Sequence, residues 1–406
     1  MNSNNKNKKI LFVITFSPFA RGGCAKNFLN LIKLTKPYFD QSQYKSIICS
    51  LDNLNQDLKA YRLNISNERI LHGIKIDYFK RIFPGVKTIY QIMEFISNLI
   101  QILKIMLKYN PNIVYAYGDK SLYLSSFWKF LFRYKLITDL RGEGVNERKQ
   151  RGWNKKKLAI LSKLDRLCRN KSDKVFIVSD AYKDVRENSK YVVKYNYYDG
   201  DLFEYNEEKA TFKRNELGLS NKFIFIYTGS IHKYQMIKEM VFFFSEFNKI
   251  HIDSFFIIIS EYDRNEFIKY FDKYSVSSTN YSIYPLKHKE VNDVQMIADI
   301  ALLIREDIPV NHYAFPTKFA EYLASGVPVL TTPHLHSIAP MVSKNNLGEL
   351  IETIKIGKNY DSLIDFIYNK YKNNFEIKRK CALFAQKKLM WQKKAKEIFQ
   401  IIDKIQ

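Results

Sequence analysis

Cysteine is scarce in this chain. Its four cysteines, Cys24, Cys49, Cys168 and Cys381, are scattered over 406 residues with no CxxC or CxH spacing. That spacing supports neither a disulfide framework nor a zinc site, which fits a reducing cytoplasm. Long hydrophobic runs are also missing, since no stretch reaches the roughly 18 apolar residues that a spanning helix needs. The richest apolar segment, Ile89 to Leu107, carries Glu94, Asn98, Gln101 and Lys104 and reads as a buried or half-buried helix. The polar start MNSNNKNKK precedes only a short apolar run, Ile10 to Phe16, which Pro18 breaks, so it does not read as a signal peptide. The protein is expected to be made in the cytoplasm and to stay there. Internal repeats and low-complexity tracts are absent as well.

Acidic residues are few in the first half. Residues 1–200 hold 37 Lys and Arg against 16 Asp and Glu, whereas residues 201–406 hold 28 against 25. The net charge of +24 therefore sits almost wholly in the first half. Such asymmetry points to a polyanionic partner: a phospholipid surface, a lipid-linked pyrophosphate or nucleic acid. No nucleic-acid-binding motif accompanies the charge, so nucleic acid is not the expected partner. A hydrophobic share of 46% with 26% charged residues is that of a folded globular protein.

What is present is an alternation of strand-like and helix-like segments. KKILFVITF, YKSIICSL, NIVYAYG, KLITDLRG and KVFIVS read as strands in the first half, the last capping into a helix at Ser179-Asp180. Helical patterns separate them, including one over Ser121–Phe132 and one from about Thr88 to Lys108 that Asn110-Pro111 stops. The pattern restarts after a polar stretch near residues 199–213 with KFIFIYTGS, SFFIIIS, YSIYPL, IADIALLI and VPVLTT. This is the signature of βαβ units and parallel sheets. The length suits two domains, and the expectation is α/β: two doubly wound, Rossmann-like domains, 1–200 and 201–385, facing across a cleft. Ligands are expected at the carboxyl ends of the strands.

The most specific stretch is LIREDIPVNHYAFPTKFAEYLASGVPVLTT, ending at Thr332. Pro316 fixes the chain ahead of a helix, so the first-turn N–H groups near Thr317 and Lys318 are available to an anion such as a pyrophosphate. Glu321, three residues beyond Lys318, lies on the same helix face and can accept hydrogen bonds from ribose hydroxyls. Arg305, at the end of the preceding strand, adds a bidentate phosphate donor.

PTKFAEYLASGVPVL resembles the donor-binding signature of retaining GT-B glycosyltransferases of the family-4 type (glycosyl transferases group 1), especially those building bacterial surface polysaccharides. KFIFIYTGSIHKYQ resembles the first strand and loop of their C-terminal domain, and ADIALLIRED the strand before the signature. LMWQKKAKEIF resembles their terminal helix, which implies that residues 386–406 cross back onto the first domain. The Gly22-Gly23 loop also fits. The match is dense over the C-terminal domain and thin over the N-terminal one.

The resemblance implies a hexosyltransferase-type enzyme moving a sugar from a nucleotide-diphosphate sugar to a saccharide acceptor, with configuration retained. Lys318 and Arg305 would bind the donor diphosphate, Glu321 the ribose, and the Gly229-Ser230 loop would approach phosphate and sugar with its backbone. Two positions depart from the family. Tyr313 stands where a second glutamate is common, and Ser230 where an arginine commonly follows the loop glycine. No DxD-type metal pair is visible, so no metal and no other cofactor is expected.

On the acceptor side the candidates follow strands: Gly22 and Gly23, then Tyr117 and Asp119, then Asp139, Arg141 and Glu143. Asp139 and Arg141 either take part in the chemistry or pair to shape their loop. Arg148 to Lys171 holds ten basic residues against Asp165 alone, with Leu158, Leu161, Leu164 and Leu167 at helical spacing and Trp153 at its start. Such a helix suits an anionic membrane surface, or its leucines face the core and its lysines water. Ser125 to Tyr134 is a weaker candidate of the same kind. A lipid-linked acceptor in capsule or O-antigen synthesis, and a peripheral place on the inner face of the membrane, follow as expectations. The rival readings are a nucleic-acid binder, an inactive nucleotide-sugar-binding partner subunit, suggested by Tyr313 and Ser230, and a nucleotide-sugar epimerase. An epimerase depends on clustered carboxylates and histidines, and the seven histidines show no clustering along the chain.

Overall fold

The structure is a computed structural model and describes residues 8–16, 23–51, 70–71, 74–78, 88–182 and 188–405. Contacts divide the chain into two units, Met1–Tyr195 with Trp391–Gln406, and Asn196–Met390.

The first unit begins with β1 (Lys8–Ile14), α1 (Gly23–Gln41), β2 (Tyr44–Ser50), β3 (Ile70–Leu71), β4 (Ile74–Tyr78), α2 (Thr88–Tyr109) and β5 (Ile113–Tyr117). It continues through α3 (Asp119–Trp128), β6 (Lys135–Leu140), α4 (Gly144–Gln150), α5 (Lys155–Lys171), β7 (Lys174–Ile177) and β8 (Tyr191–Val193). Its sheet has the order β3-β4-β2-β1-β5-β6-β7-β8, parallel except for the β3–β4 pair. Continuous apolar runs make these strands because both faces are covered. Ile10 to Ile14 are fully buried.

The second unit runs α6 (Glu207–Glu216), β9 (Phe223–Thr228), α7 (Ile237–Ile250), β10 (Ser254–Ile259), α8 (Arg264–Lys273), β11 (Tyr281–Tyr284) and α9 (Val291–Gln295). Then come β12 (Ile300–Leu303), α10 (Pro309–His312), α11 (Thr317–Ala324), β13 (Val329–Thr331), α12 (Ile338–Asn345), β14 (Gly348–Leu350), α13 (Asp361–Tyr371) and α14 (Phe375–Lys388). The sheet order is β11-β10-β9-β12-β13-β14, all parallel. This is the doubly wound order, with a topological switch point between β9 and β12. Aromatic packing fills its core, as where Phe225 meets Phe247 edge-on at 4.7 Å.

The last helix, α15 (Trp391–Asp403), belongs to the first unit. Phe399 packs edge-on against Phe39 at 5.0 Å, and Tyr44 Oη donates to Asp403 at 2.8 Å.

Helix α2 is half-buried, one of the two states read from its sequence, with Ile102, Ile105 and Met106 buried in its C-terminal half. Ile89, Ile92, Ile96 and Ile100 form an apolar face that is 49–59% exposed. Helical periodicity marks an apolar face but does not say whether another element covers it. The basic stretch is two helices, α4 and α5, rather than one. In α5 the buried stripe is Leu161, Asp165 and Cys168, while Ile160, Leu164 and Leu167 are exposed. The leucines therefore do not share one inward face. The helix read over Ser121–Phe132 spans Asp119–Trp128 instead. The one expected after Ser179-Asp180 falls partly on residues 183–187, outside the described residues.

Candidate functional site

The switch point of the second unit collects the expected donor residues. Gly229 follows β9 with φ of +143°, a backbone region suited to glycine, and its N–H donates to Ile259 O at 2.9 Å. A Cβ on Gly229 would lie 2.7 Å from Lys318 Nζ and 3.1 Å from Tyr227 Oη. Tyr227 in turn donates to the Ser230 carbonyl at 2.6 Å, and Lys318 Nζ sits 4.3 Å above the Tyr227 ring.

Arg305 lies two residues beyond β12. Its N–H donates to Thr332 Oγ1 at 3.1 Å, and that hydroxyl donates back to Arg305 O at 3.0 Å. This clasp fixes the start of the loop. The Arg305 guanidinium is buried and donates to Gln235 Oε1, which also accepts from Lys318 Nζ at 3.0 Å. Two cations thus share one neutral amide oxygen. Among the described residues neither forms an ion pair.

The electrostatic cost is visible in both groups. Burial, and then the Arg305 charge, hold the Lys318 amine well below its ordinary pKa, with Glu321 opposing them. Burial also lowers Arg305. A buried, uncompensated pair of cations is a site for an anion. Helix α11 begins beside it at Thr317, with Pro316 at the N-cap, whose side chain makes no capping hydrogen bond. The start of the helix brings the positive end of its dipole to the site.

Glu321 is one turn along α11, and its carboxylate is largely buried. His288 Nε2 donates to Glu321 Oε1 at 2.9 Å, and Phe203 lies 5.2 Å from the imidazole. Sequence reasoning missed Gln235 and His288. Gln235 closes the segment KFIFIYTGSIHKYQ without standing out in it, His288 lies outside the quoted segments, and they are 83 residues from Lys318 and 33 from Glu321 respectively.

Three of the seven histidines are brought together. His312 Nε2 is 2.7 Å and His334 Nδ1 3.5 Å from Asp307 Oδ1, and the His312 and His336 rings stack at 4.4 Å. The crossover from β12 to β13 brings the two loops together, so the grouping is invisible along the chain. Tyr313 caps α10 next to this cluster. Among the described residues no group of three or more His, Cys, Asp or Glu side chains is arranged to hold a metal ion.

The acceptor-side candidates stand differently. Gly22 lies outside the described residues, and Gly23 opens α1. Tyr117 and Asp139 are in strands, not in the loops after them. Tyr117 is buried and its hydroxyl donates to Cys24 O at 3.1 Å. Asp139 is fully buried and accepts from Tyr115 Oη at 2.7 Å and Arg141 Nη1 at 3.1 Å, with Lys194 Nζ at 2.7 Å. Burial pushes the Asp139 carboxyl up, and Lys194 and Arg141 more than offset it, leaving it below its usual value. Lys194 is itself pushed down to about 8 by burial. Asp139 and Arg141 therefore pair and shape the strand end, and Asp139 has no surface with which to meet a substrate.

Asp119 opens α3 and holds Arg148 at 2.6 Å, while Glu143 lies 3.7 Å from Arg169.

No protein-family model matches the chain, and no curated protein matches it in sequence. Solved structures do match. The crystal structure of Alr3699/HepE from Anabaena in complex with UDP is 13% identical, covers 98% of this chain and 100% of that one, and has a TM-score of 0.71. A sucrose-phosphate synthase from Thermosynechococcus elongatus is 11% identical over 98% and 99% of the two chains, with a TM-score of 0.74. WaaG, a glycosyltransferase involved in lipopolysaccharide biosynthesis, is 10% identical over 97% and 99%, with a TM-score of 0.64. At such identities the likeness speaks for architecture alone, and the architecture is the GT-B fold of these structures.

Proposed function

We propose that this chain is a glycosyltransferase whose second unit holds a nucleotide-diphosphate sugar. The observation that carries this reading is the buried pair Arg305 and Lys318, joined only through neutral Gln235 Oε1 at the β9–β12 switch point. In the reaction the bond from the sugar's anomeric carbon to the diphosphate oxygen breaks. The bond to the acceptor hydroxyl oxygen forms on the same face, and the hydroxyl proton passes to the departing diphosphate. Negative charge grows on that diphosphate as it leaves. Lys318, Arg305 and the start of α11 are aimed at that charge before the reaction begins, which is how a preorganised site lowers a barrier. Their positive charge takes the part a metal ion would otherwise play, so turnover in EDTA is expected to equal turnover without it.

UDP is the first nucleotide to test, because the Anabaena neighbour was solved with it. The acceptor proposed is a lipid-linked saccharide of a bacterial surface polysaccharide. No helix among the described residues is long and apolar enough to cross a membrane. The first unit instead offers the exposed Ile160, Leu164 and Leu167 of α5 among Lys156, Lys157, Lys163 and Arg166, an apolar stripe with basic flanks. This suits a peripheral position on an anionic bilayer.

The test is thermal stabilisation by UDP, GDP, dTDP, ADP and CMP and their sugar conjugates, with Lys318→Ala and Glu321→Ala beside the wild type. A nucleotide at ~100 times its dissociation constant adds about 2.7 kcal/mol. Stabilisation by one base that both variants lose supports the donor site, and no response, or an equal response in the variants, removes it. Ser230 and Tyr313 favour one rival, an inactive donor-binding partner subunit. That rival predicts binding without sugar release in the presence of any acceptor. Acceptor-independent interconversion of the sugar would instead mark an epimerase.

A further inference from the structure

His288 has no place in the donor motif, yet it is the side chain that holds Glu321. The turn His288–Glu290 is closed by Lys287 N–H donating to Glu290 Oε2 at 3.0 Å and Glu290 N–H donating to Lys287 O at 2.8 Å. Phe203 packs on the imidazole at 5.2 Å. Asn292, two residues beyond Glu290, donates to Glu204 O at 2.9 Å and accepts from Ser325 Oγ at 2.8 Å. Ser325 Oγ also lies 3.0 Å from Glu321 O, so its single proton serves one of these two acceptors at a time. The imidazole is thus fixed relative to α11 by its own turn, by the aromatic ring and by a chain of hydrogen bonds ending on the residue it holds. With Oε1 engaged by His288, Glu321 Oε2 has no side-chain partner among the described residues.

We infer that His288 is a specificity-determining positioning residue, which fixes the Glu321 carboxylate so that its remaining oxygen accepts from the ribose hydroxyls of a nucleoside diphosphate. The inference rests on the donor-site reading above. A free glutamate side chain loses rotamer freedom when it binds a hydroxyl, and a held one has already lost it. Hydrogen bonds to a charged acceptor are the stronger kind, so the held carboxylate discriminates ribose from a sugar lacking those hydroxyls. A purely structural histidine would change stability but would leave that discrimination intact.

The experiment is calorimetric binding of UDP, GDP and ADP, each against its 2′,3′-dideoxy counterpart and against inorganic pyrophosphate. The proteins are the wild type, His288→Ala, His288→Gln and Lys318→Ala. For the nucleotide that binds, the wild type is expected to prefer the ribose form by about 10- to 100-fold. His288→Ala should reduce that preference to about threefold or less and leave pyrophosphate binding unchanged. His288→Gln, which keeps an N–H donor, should recover part of it. Full discrimination in His288→Ala, with Lys318→Ala still abolishing binding, overturns the role of His288 and leaves the donor site standing. Binding of none of the nucleotides, or equal binding by Lys318→Ala, overturns both.

Discussion

Gly229 and Lys318 meet so closely that a methyl group on the glycine would lie 2.7 Å from the lysine Nζ. The contact joins the loop after β9 to the start of α11 across the switch point. Gly229→Ala would strain a backbone at φ of +143° and push the lysine tip away from Gln235. The expected result is a folded protein, destabilised by roughly 1–3 kcal/mol, whose affinity for the nucleotide that stabilises the wild type falls at least about tenfold. Titration calorimetry reads it, and unchanged affinity would mean that the lysine tip does not touch the ligand.

Part of this site was legible in the sequence, for a physical reason. A proline-started helix with a lysine in its first turn is a local pattern, and local patterns are written in consecutive residues. So are the buried strands, as in KFIFIYTGS, because a strand covered on both faces must be apolar throughout. Gln235, His288 and the cluster of His312, His334 and His336 are not local. Their partners arrive through crossovers, and no spacing announces them. The ends of β5 and β6 at Tyr117 and beyond Asp139 are less legible, because strand ends are set by tertiary pairing rather than by composition. The outward face of α2 was illegible for the opposite reason: its apolar pattern is clear, but the pattern cannot report whether another element covers it.

Asp139 and Lys194 give a prediction confined to the first unit. The carboxylate is fully buried with Lys194 Nζ at 2.7 Å and Arg141 Nη1 at 3.1 Å, and Lys194 also lies 5.2 Å from the Trp391 ring. Asp139→Asn would leave both cations facing an amide. Breaking a buried pair from one side costs about 3–5 kcal/mol. Chemical denaturation should show a loss of that size, whereas nucleotide affinity measured under native conditions should stay within about twofold of wild type. A variant as stable as wild type would show that the charges are not needed to hold the β6 end.

The exposed stripe of α5 makes a second prediction. Leu164 and Leu167 are 40% and 50% exposed, so Leu164→Asp with Leu167→Asp should leave the melting temperature nearly unchanged. Binding to phosphatidylglycerol vesicles should weaken by at least about tenfold. For the wild type, the same binding should weaken with added salt and be much poorer on phosphatidylcholine. Vesicle sedimentation decides it. Binding indifferent to salt, to lipid charge and to the double substitution would rule out this face as the docking surface.

Lys318 predicts two pH slopes of opposite sign. Its amine is held well below the ordinary lysine value by burial and by Arg305, so between that depressed value and about 10.4 the unfolded chain binds more protons than the native one. Stability without ligand should therefore rise with pH across this window. Binding a diphosphate supplies the missing negative charge and favours the ammonium form. The complex then takes up a proton, and affinity should fall by up to about tenfold per pH unit above the free protein's value. Lys194 and Lys378, each pushed down to about 8 by burial, add to the stability slope but not to the affinity slope. Comparison with Lys318→Met isolates the residue: the variant should lose the affinity slope entirely and the stability slope in part. Calorimetry in two buffers of different ionisation enthalpy counts the proton directly. If wild type and variant take up the same number of protons, Lys318 does not change its charge on binding, and the anion is held by Arg305 and the helix start alone.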